Sequence, residues 1–202
     1  MKLYDTRTAQ EREFLPAGDR VKMYVCGVTP YAPCHVGHAM SYVIFDVLLR
    51  YLNFLGYAVD HVQNFTDVDD KIIQTAQNEG IGTQELADRN IAEFMENMEK
   101  LNIRRAQAYP RATHEVPRII KVVDSLIDKG YAYPSDGSVY FRVSKAQDYG
   151  SLSHRTLEGM QAGVRVQVDT AKENPMDFAL WKAGKAGEPT WDSPWGPGRP
   201  GW

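Results

Sequence analysis

The stretch from Val21 to Phe65 constrains the fold more than any other part of the chain. Val21-Lys22-Met23-Tyr24-Val25-Cys26 alternates in polarity and is bounded by Gly27, the pattern of a strand. Pro30 and Pro33 then exclude regular structure up to about Cys34. From His38 onward Val43, Val47, Leu48, Tyr51, Leu52 and Leu55 recur at helical spacing, and Gly56 suits the helix end. Tyr57 to Phe65 reads as a second strand, and Thr66-Asp67-Val68-Asp69-Asp70-Lys71 places capping residues and acids at the next helix start. Strand, helix, strand is one right-handed crossover, so the two strands lie parallel in one sheet. The fold class is α/β with an open parallel sheet.

Two further helices are predicted. One runs from about Glu85 to Leu101, with Ile91, Phe94, Met95, Met98 and Leu101 on one face. The other runs from about His114 to Lys129, with the stripe Val116, Ile120, Val123 and Ile127, and Gly130 ends it. These stripes, like that of the first helix, read as core. Beyond Gly130, Tyr131-Ala132-Tyr133, a turn at Pro134-Ser135-Asp136-Gly137 and Val139 to Val143 form a predicted hairpin. Ser144 to Lys172 is polar and irregular, and Trp191 to Trp202 is crowded with Gly, Pro and Trp, which reads as a loop.

The chain has 202 residues, enough for one core or a core with an insertion. Its net charge of −3 argues against a segment that grips nucleic acid mainly by electrostatics. No apolar run could span a bilayer and no signal-peptide core follows Met1, so a cytoplasmic protein with no membrane partner is expected.

In an open α/β sheet, ligands bind beyond the carboxyl ends of the strands. The residues there are Cys26-Gly27 and Asn64-Phe65-Thr66-Asp67, with His35-Val36-Gly37-His38 opening the helix between them. Two imidazoles at a helix N-terminus suit a phosphate, because the helix end adds N–H groups and positive potential. Gly37 removes a side chain where a flat ring such as adenine could approach the backbone. The pair equally suits surface caps, and spacing does not separate the two readings. Cys26 and Cys34 form neither a disulfide framework nor a standard zinc-finger pair, and by spacing alone each reads as a small buried residue. His61 reads as a structural strand residue, His114 as part of a helix start and His154 as a loop residue. Tyr24 shares a strand face with Cys26 and either walls the pocket or only packs.

His35-Val36-Gly37-His38 resembles the HIGH signature of class I aminoacyl-tRNA synthetases. Met23 to Tyr31, Asn64 to Ile73, Pro110 to Thr113, Asn174 to Lys182, and Ser193 to Trp202 resemble, in order, blocks of the cysteinyl-tRNA synthetase family. The resemblance covers nearly the whole chain. It implies a Rossmann-like sheet carrying the HIGH-like motif over residues 1–130, a smaller α+β connective insertion over 131–190, and the start of a second catalytic half at 191–202. It also implies a ligase that activates L-cysteine with ATP and Mg2+ and transfers it to tRNA(Cys). In that family Cys26 would be a zinc ligand, and zinc would bind the substrate thiolate and reject serine by ligand chemistry. Gly27, Thr29, Thr66 and Trp202 would belong to the substrate pocket, with Gly37 in the ATP site. His35 and His38 would stabilise charge on the α-phosphoryl group as the cysteine carboxylate attacks.

The remaining zinc ligands and the KMSKS loop of that family are expected beyond Trp202, so the fragment alone is expected to be inactive. Lys182-Ala183-Gly184-Lys185 is a decoy for that loop and reads as a solvated turn. An exposed sheet edge and apolar face would favour self-association. A cysteine:glucosaminyl-inositol ligase of mycothiol synthesis is the alternative enzyme, and a truncated paralogue that binds without catalysis is the alternative outside catalysis.

Overall fold

A computed structural model describes residues 1–156, 159 and 171–201. Trp202 and, within the polar stretch from Ser144 to Lys172, residues 157, 158 and 160–170 lie outside the described residues. The chain divides into two compact units: Pro16–Glu115, and Met1–Leu15 together with Val116–Trp202.

The first unit is built on the expected crossover. Strand β3 (Arg20–Val25), helix α1 (Val36–Phe54) and strand β4 (Ala58–Gln63) follow in order, with β3 and β4 parallel and Val21 opposite Val59, Val25 opposite Gln63. The two strands that precede them in the chain belong to the other unit. On the far side of β4, residues 107–112 run parallel to it. The Gln63 amide donates to the Ala108 carbonyl at 3.1 Å and the Phe65 amide to that of Pro110 at 2.9 Å. Helices α2 (Asp70–Glu79) and α3 (Thr83–Lys100) complete the unit. Val25, Val28, Tyr42, Phe65, Ile91, Phe94 and Met98 make its main core.

Helix α1 departs from the expected burial. Tyr42, Asp46, Leu49 and Leu52 face the core, whereas Val43, Val47, Tyr51 and Leu55 are exposed. The helix is apolar on two faces and only one is covered, so periodicity finds the helix without choosing its buried side. It begins at Val36 with His35 as its N-cap, so His35-Val36-Gly37-His38 opens the helix as expected.

In the second unit, β1 (Lys2–Asp5) and β2 (Gln10–Glu13) form an antiparallel hairpin that the sequence reading did not include. Helix α4 (Val116–Asp128) follows a short 3-10 turn at Ala112–His114. Strands β5 (Ala132–Ser135), β6 (Ser138–Phe141), β7 (Phe178–Ala183) and β8 (Gly198–Pro200) form one antiparallel sheet in that order. The predicted hairpin is β5–β6. The α4 stripe packs as expected: Val116 and Val123 are buried with Ala132, Val139 and Trp181, and Ile120 and Ile127 flank them. This packing puts α4 with the sheet, and the compact units divide after Glu115.

The tail is only partly a loop: residues 192–197 turn irregularly, and Gly198–Pro200 form a strand. β8 pairs with β7, Trp191 bridges Gly198, and Arg199 is buried in an ion pair with Glu188. A Cβ on Gly198 would lie 2.4 Å from the Trp181 ring, so glycine is what lets β8 cross that indole. Lys182 and Ala183 belong to β7, and the turn begins only after them.

Candidate active site

The candidate site is assembled within the Pro16–Glu115 unit, at the carboxyl ends of β3 and β4 and the start of α1. Cys26 directly follows β3. Its side chain is exposed, and its one hydrogen-bonding contact among the described residues is a long one from the thiol to the Gly27 carbonyl at 3.8 Å. The default reading of a buried cysteine therefore fails here. Cys34 is half-buried, packs against the core and accepts from Asn97 Nδ2 at 3.5 Å. Tyr24, on the same strand face as Cys26, is 66% exposed.

Gly27 is held against β4. Its amide donates to Asn64 Oδ1 at 2.8 Å, and a Cβ there would sit 1.4 Å from the Asn64 carbonyl oxygen. Only glycine permits so close a backbone approach. The Thr66 amide donates to the Val28 carbonyl at 3.1 Å, and Asn64 Nδ2 donates to Thr66 Oγ1 at 3.3 Å. Gly27 and Thr66 thus meet through Asn64. Thr29 is half-buried in the loop after β3, and the buried Asn90 anchors that loop by donating to the Pro30 carbonyl at 2.9 Å.

His35 caps α1. Its Nδ1 accepts from the Gly37 amide at 3.1 Å, and His38 Nδ1 accepts from the His35 amide at 3.2 Å. The rings stack with centroids 4.0 Å apart. A nitrogen that accepts carries no proton, so each neutral ring bears its proton on Nε2. The pair presents two Nε2–H donors. Partial burial, reinforced by His35, holds the His38 pKa below the ordinary histidine value, which favours the neutral ring. Gly37 has a local use: a Cβ there would come within 3.0 Å of the His35 ring. Both histidines are therefore caps, as one of the two sequence readings has it.

Tyr42 escapes a motif search, and Asn64, which heads one of the family-like blocks, has no role of its own in the sequence reading. The Tyr42 hydroxyl donates to the Cys26 carbonyl at 3.2 Å from the buried face of α1. Burial first, then the nearby Cys26 and Tyr109, pushes its pKa up to about 12, so it remains a donor. Tyr42 lies four residues after His38, and that spacing was the available signal.

Other motif residues are structural. Buried Asp67 accepts from the Thr113 amide at 2.9 Å and its hydroxyl at 2.7 Å, joining two of the blocks. Asp177 accepts from the Tyr133 hydroxyl at 2.8 Å and the Val143 amide at 3.0 Å in the other unit. His61 is 7% exposed, and neither ring nitrogen has a partner among the described residues. Burial lowers its pKa, against an opposing pull from Asp46. His114 ends the 3-10 turn, and His154 Nε2 bonds the Thr6 carbonyl at 2.7 Å.

Among the described residues no group of three or more His, Cys, Asp or Glu side chains could hold a metal ion. Cys26 fits zinc as a single open thiol donor, and a site would need further donors. No helix among the described residues is long and apolar enough to cross a membrane.

The chain is similar to the solved Mycobacterium tuberculosis methionyl-tRNA synthetase in complex with methionyl-adenylate. The TM-score is 0.52 and the identity 26%, over 63% of this chain and 26% of that one. The fold, with its Rossmann-like parallel sheet and mixed α/β content, is that of the class I tRNA synthetases. Residues 14–202 match the family of tRNA synthetases class I (C) catalytic domains, and the chain belongs to that family. It is 61% identical to a cysteine–tRNA ligase of Dehalococcoides mccartyi, over all of this chain and 44% of the relative. It is 56% identical to a cysteine–tRNA ligase of Pelotomaculum thermopropionicum, over all of this chain and 42% of the relative. The chain therefore spans less than half the length of these relatives.

Proposed function

We propose that this chain is the N-terminal part of a cysteine–tRNA ligase. The Pro16–Glu115 unit carries the chemistry, and the β5–β8 sheet with α4 forms the connective element. L-cysteine and ATP with Mg2+ react so that a carboxylate oxygen bonds to the α-phosphorus and pyrophosphate leaves. The cysteinyl group then passes from the adenylate to tRNA(Cys). The observation that carries this reading is the meeting of Cys26, Gly27 and Thr66 at the strand ends, with two Nε2–H donors at the start of α1.

His35 and His38 serve the α-phosphoryl oxygens, where charge builds as the carboxylate attacks. Neutral donors fit that task, because they bind a developing charge without gripping the ground state as a cation would. Thr29 and Thr66 help to enclose the amino acid. Gly37 keeps the start of α1 open for the nucleotide. Zinc is proposed as the resident metal, with Cys26 as one ligand; when bound it would recognise the substrate sulfur.

The test is cysteine-dependent ATP–pyrophosphate exchange by the full-length protein. His38→Ala is expected to lower the rate by on the order of 10²-fold, the effect of losing one stabilising donor, with little change in ATP affinity. An equal fall in ATP affinity would make the pair a ground-state anchor. Absence of cysteine-dependent exchange in the full-length wild type would overturn the function itself. The 202-residue chain alone is expected to show no such exchange.

That isolated chain is also proposed to self-associate. Val36, Met40, Ile44, Val47, Tyr51 and Phe54 expose an apolar stripe along α1, and β3 pairs only with β4 among the described residues. A second copy could cover both the stripe and the open edge. Sedimentation is expected to show a mass that rises with protein concentration. A monomer up to about millimolar concentration, far above ordinary interface dissociation constants, would refute this.

A further inference from the structure

We propose that Asn64 is the positioning residue that sets the hydrogen-bond polarity of Thr66; this rests on Thr66 lining the amino-acid pocket. The Gly27 amide can only donate, so the Asn64 oxygen must face it, and the 2.8 Å bond fixes which way the side-chain amide is turned. The Asn64 NH2 group then faces Thr66 Oγ1 at 3.3 Å. An NH2 group only donates, so the hydroxyl oxygen accepts there. The hydroxyl proton cannot point at Asn64 and is left for another acceptor. Asn64 therefore turns Thr66 into a donor toward an electron-rich atom of the bound amino acid.

One side chain thus links both strand ends. Its oxygen holds Gly27, where β3 delivers Cys26, and its nitrogen orients Thr66, where β4 ends. The backbone supports this arrangement, with the Thr66 amide on the Val28 carbonyl and the Phe65 amide on the Pro110 carbonyl. Neither backbone bond needs the Asn64 side chain, so the loop can keep its path when that side chain changes.

Asn64→Asp separates the two tasks. A carboxylate still accepts from Gly27, but it also accepts from Thr66. The hydroxyl proton then turns inward and the donor toward substrate is lost. In the full-length protein Asn64→Asp is expected to raise the KM for L-cysteine about 10-fold, the scale of one hydrogen bond, while the KM for ATP and the thermal midpoint stay near wild type. The new charge could itself repel the substrate, so the same change is made in a Thr66→Ala background. There, with no hydroxyl to orient, Asn64→Asp is expected to add little to the cysteine KM. Full additivity, an equal rise in the ATP KM, or no rise at all would overturn the role of Asn64. If Thr66→Ala raises the cysteine KM and Asn64→Asp does not, Asn64 alone loses its role. If Thr66→Ala leaves that KM unchanged, the pocket reading fails and the positioning role falls with it.

Discussion

Gly27→Ala is expected to disrupt the strand ends more than any other single methyl group added to this site. The new Cβ would lie 1.4 Å from the Asn64 carbonyl oxygen and 2.5 Å from its carbon. Both are backbone atoms, so no rotamer change can relieve the overlap. β3 and β4 would have to part at their carboxyl ends, with loss of the Gly27 bond to Asn64 and strain on the Thr66 bond to Val28. Overpacking of this kind costs on the order of 3 kcal/mol when the backbone must move. The expected outcome is a lowered unfolding midpoint and loss of cysteine-dependent exchange in the full-length protein, read by thermal or denaturant unfolding alongside the assay. A variant of wild-type stability and activity would show that the two strand ends are not held as closely as described here.

That contact also shows where sequence reasoning stops. Strand, helix and strand were legible because alternation, helical spacing and glycine punctuation are local properties. The meeting of Cys26-Gly27 with Asn64-Thr66 followed from them, since parallel strands deliver their ends to one edge. The α4 stripe and the β5–β6 hairpin were legible for the same reason. The approach of Gly27 to Asn64 was not, because it joins residues far apart in sequence through a backbone distance. Helix α1 failed differently: apolar residues on two faces give a correct helix and an undetermined buried side. In the tail, glycine and proline normally signal a loop, but Gly198 sits in a strand because Trp181 leaves no room for a side chain. The histidine pair lay between these cases. Its place at a helix start was readable, whereas the proton on each Nε2 follows from capping bonds that only the folded backbone makes.

Cys26→Ser, one residue away from the glycine, is expected to spare the fold and remove the proposed metal. The Cys26 thiol is exposed and among the described residues makes one long hydrogen-bonding contact, so its replacement there disturbs little packing. Tyr42 bonds the backbone carbonyl of residue 26, which the substitution leaves in place. The unfolding midpoint of the metal-free protein should therefore stay near that of the metal-free wild type. A neutral serine hydroxyl is a poor zinc ligand at neutral pH. Metal analysis of the full-length protein after dialysis is expected to fall from roughly one zinc per chain to almost none. Discrimination between cysteine and serine in pyrophosphate exchange should fall with it, by on the order of 10²-fold, because shape alone separates near-isosteres poorly. Stoichiometric zinc in the serine variant would remove Cys26 from the ligand set. Lost zinc with discrimination intact would instead assign selectivity to the pocket walls, and the metal would then hold the site together without choosing its substrate.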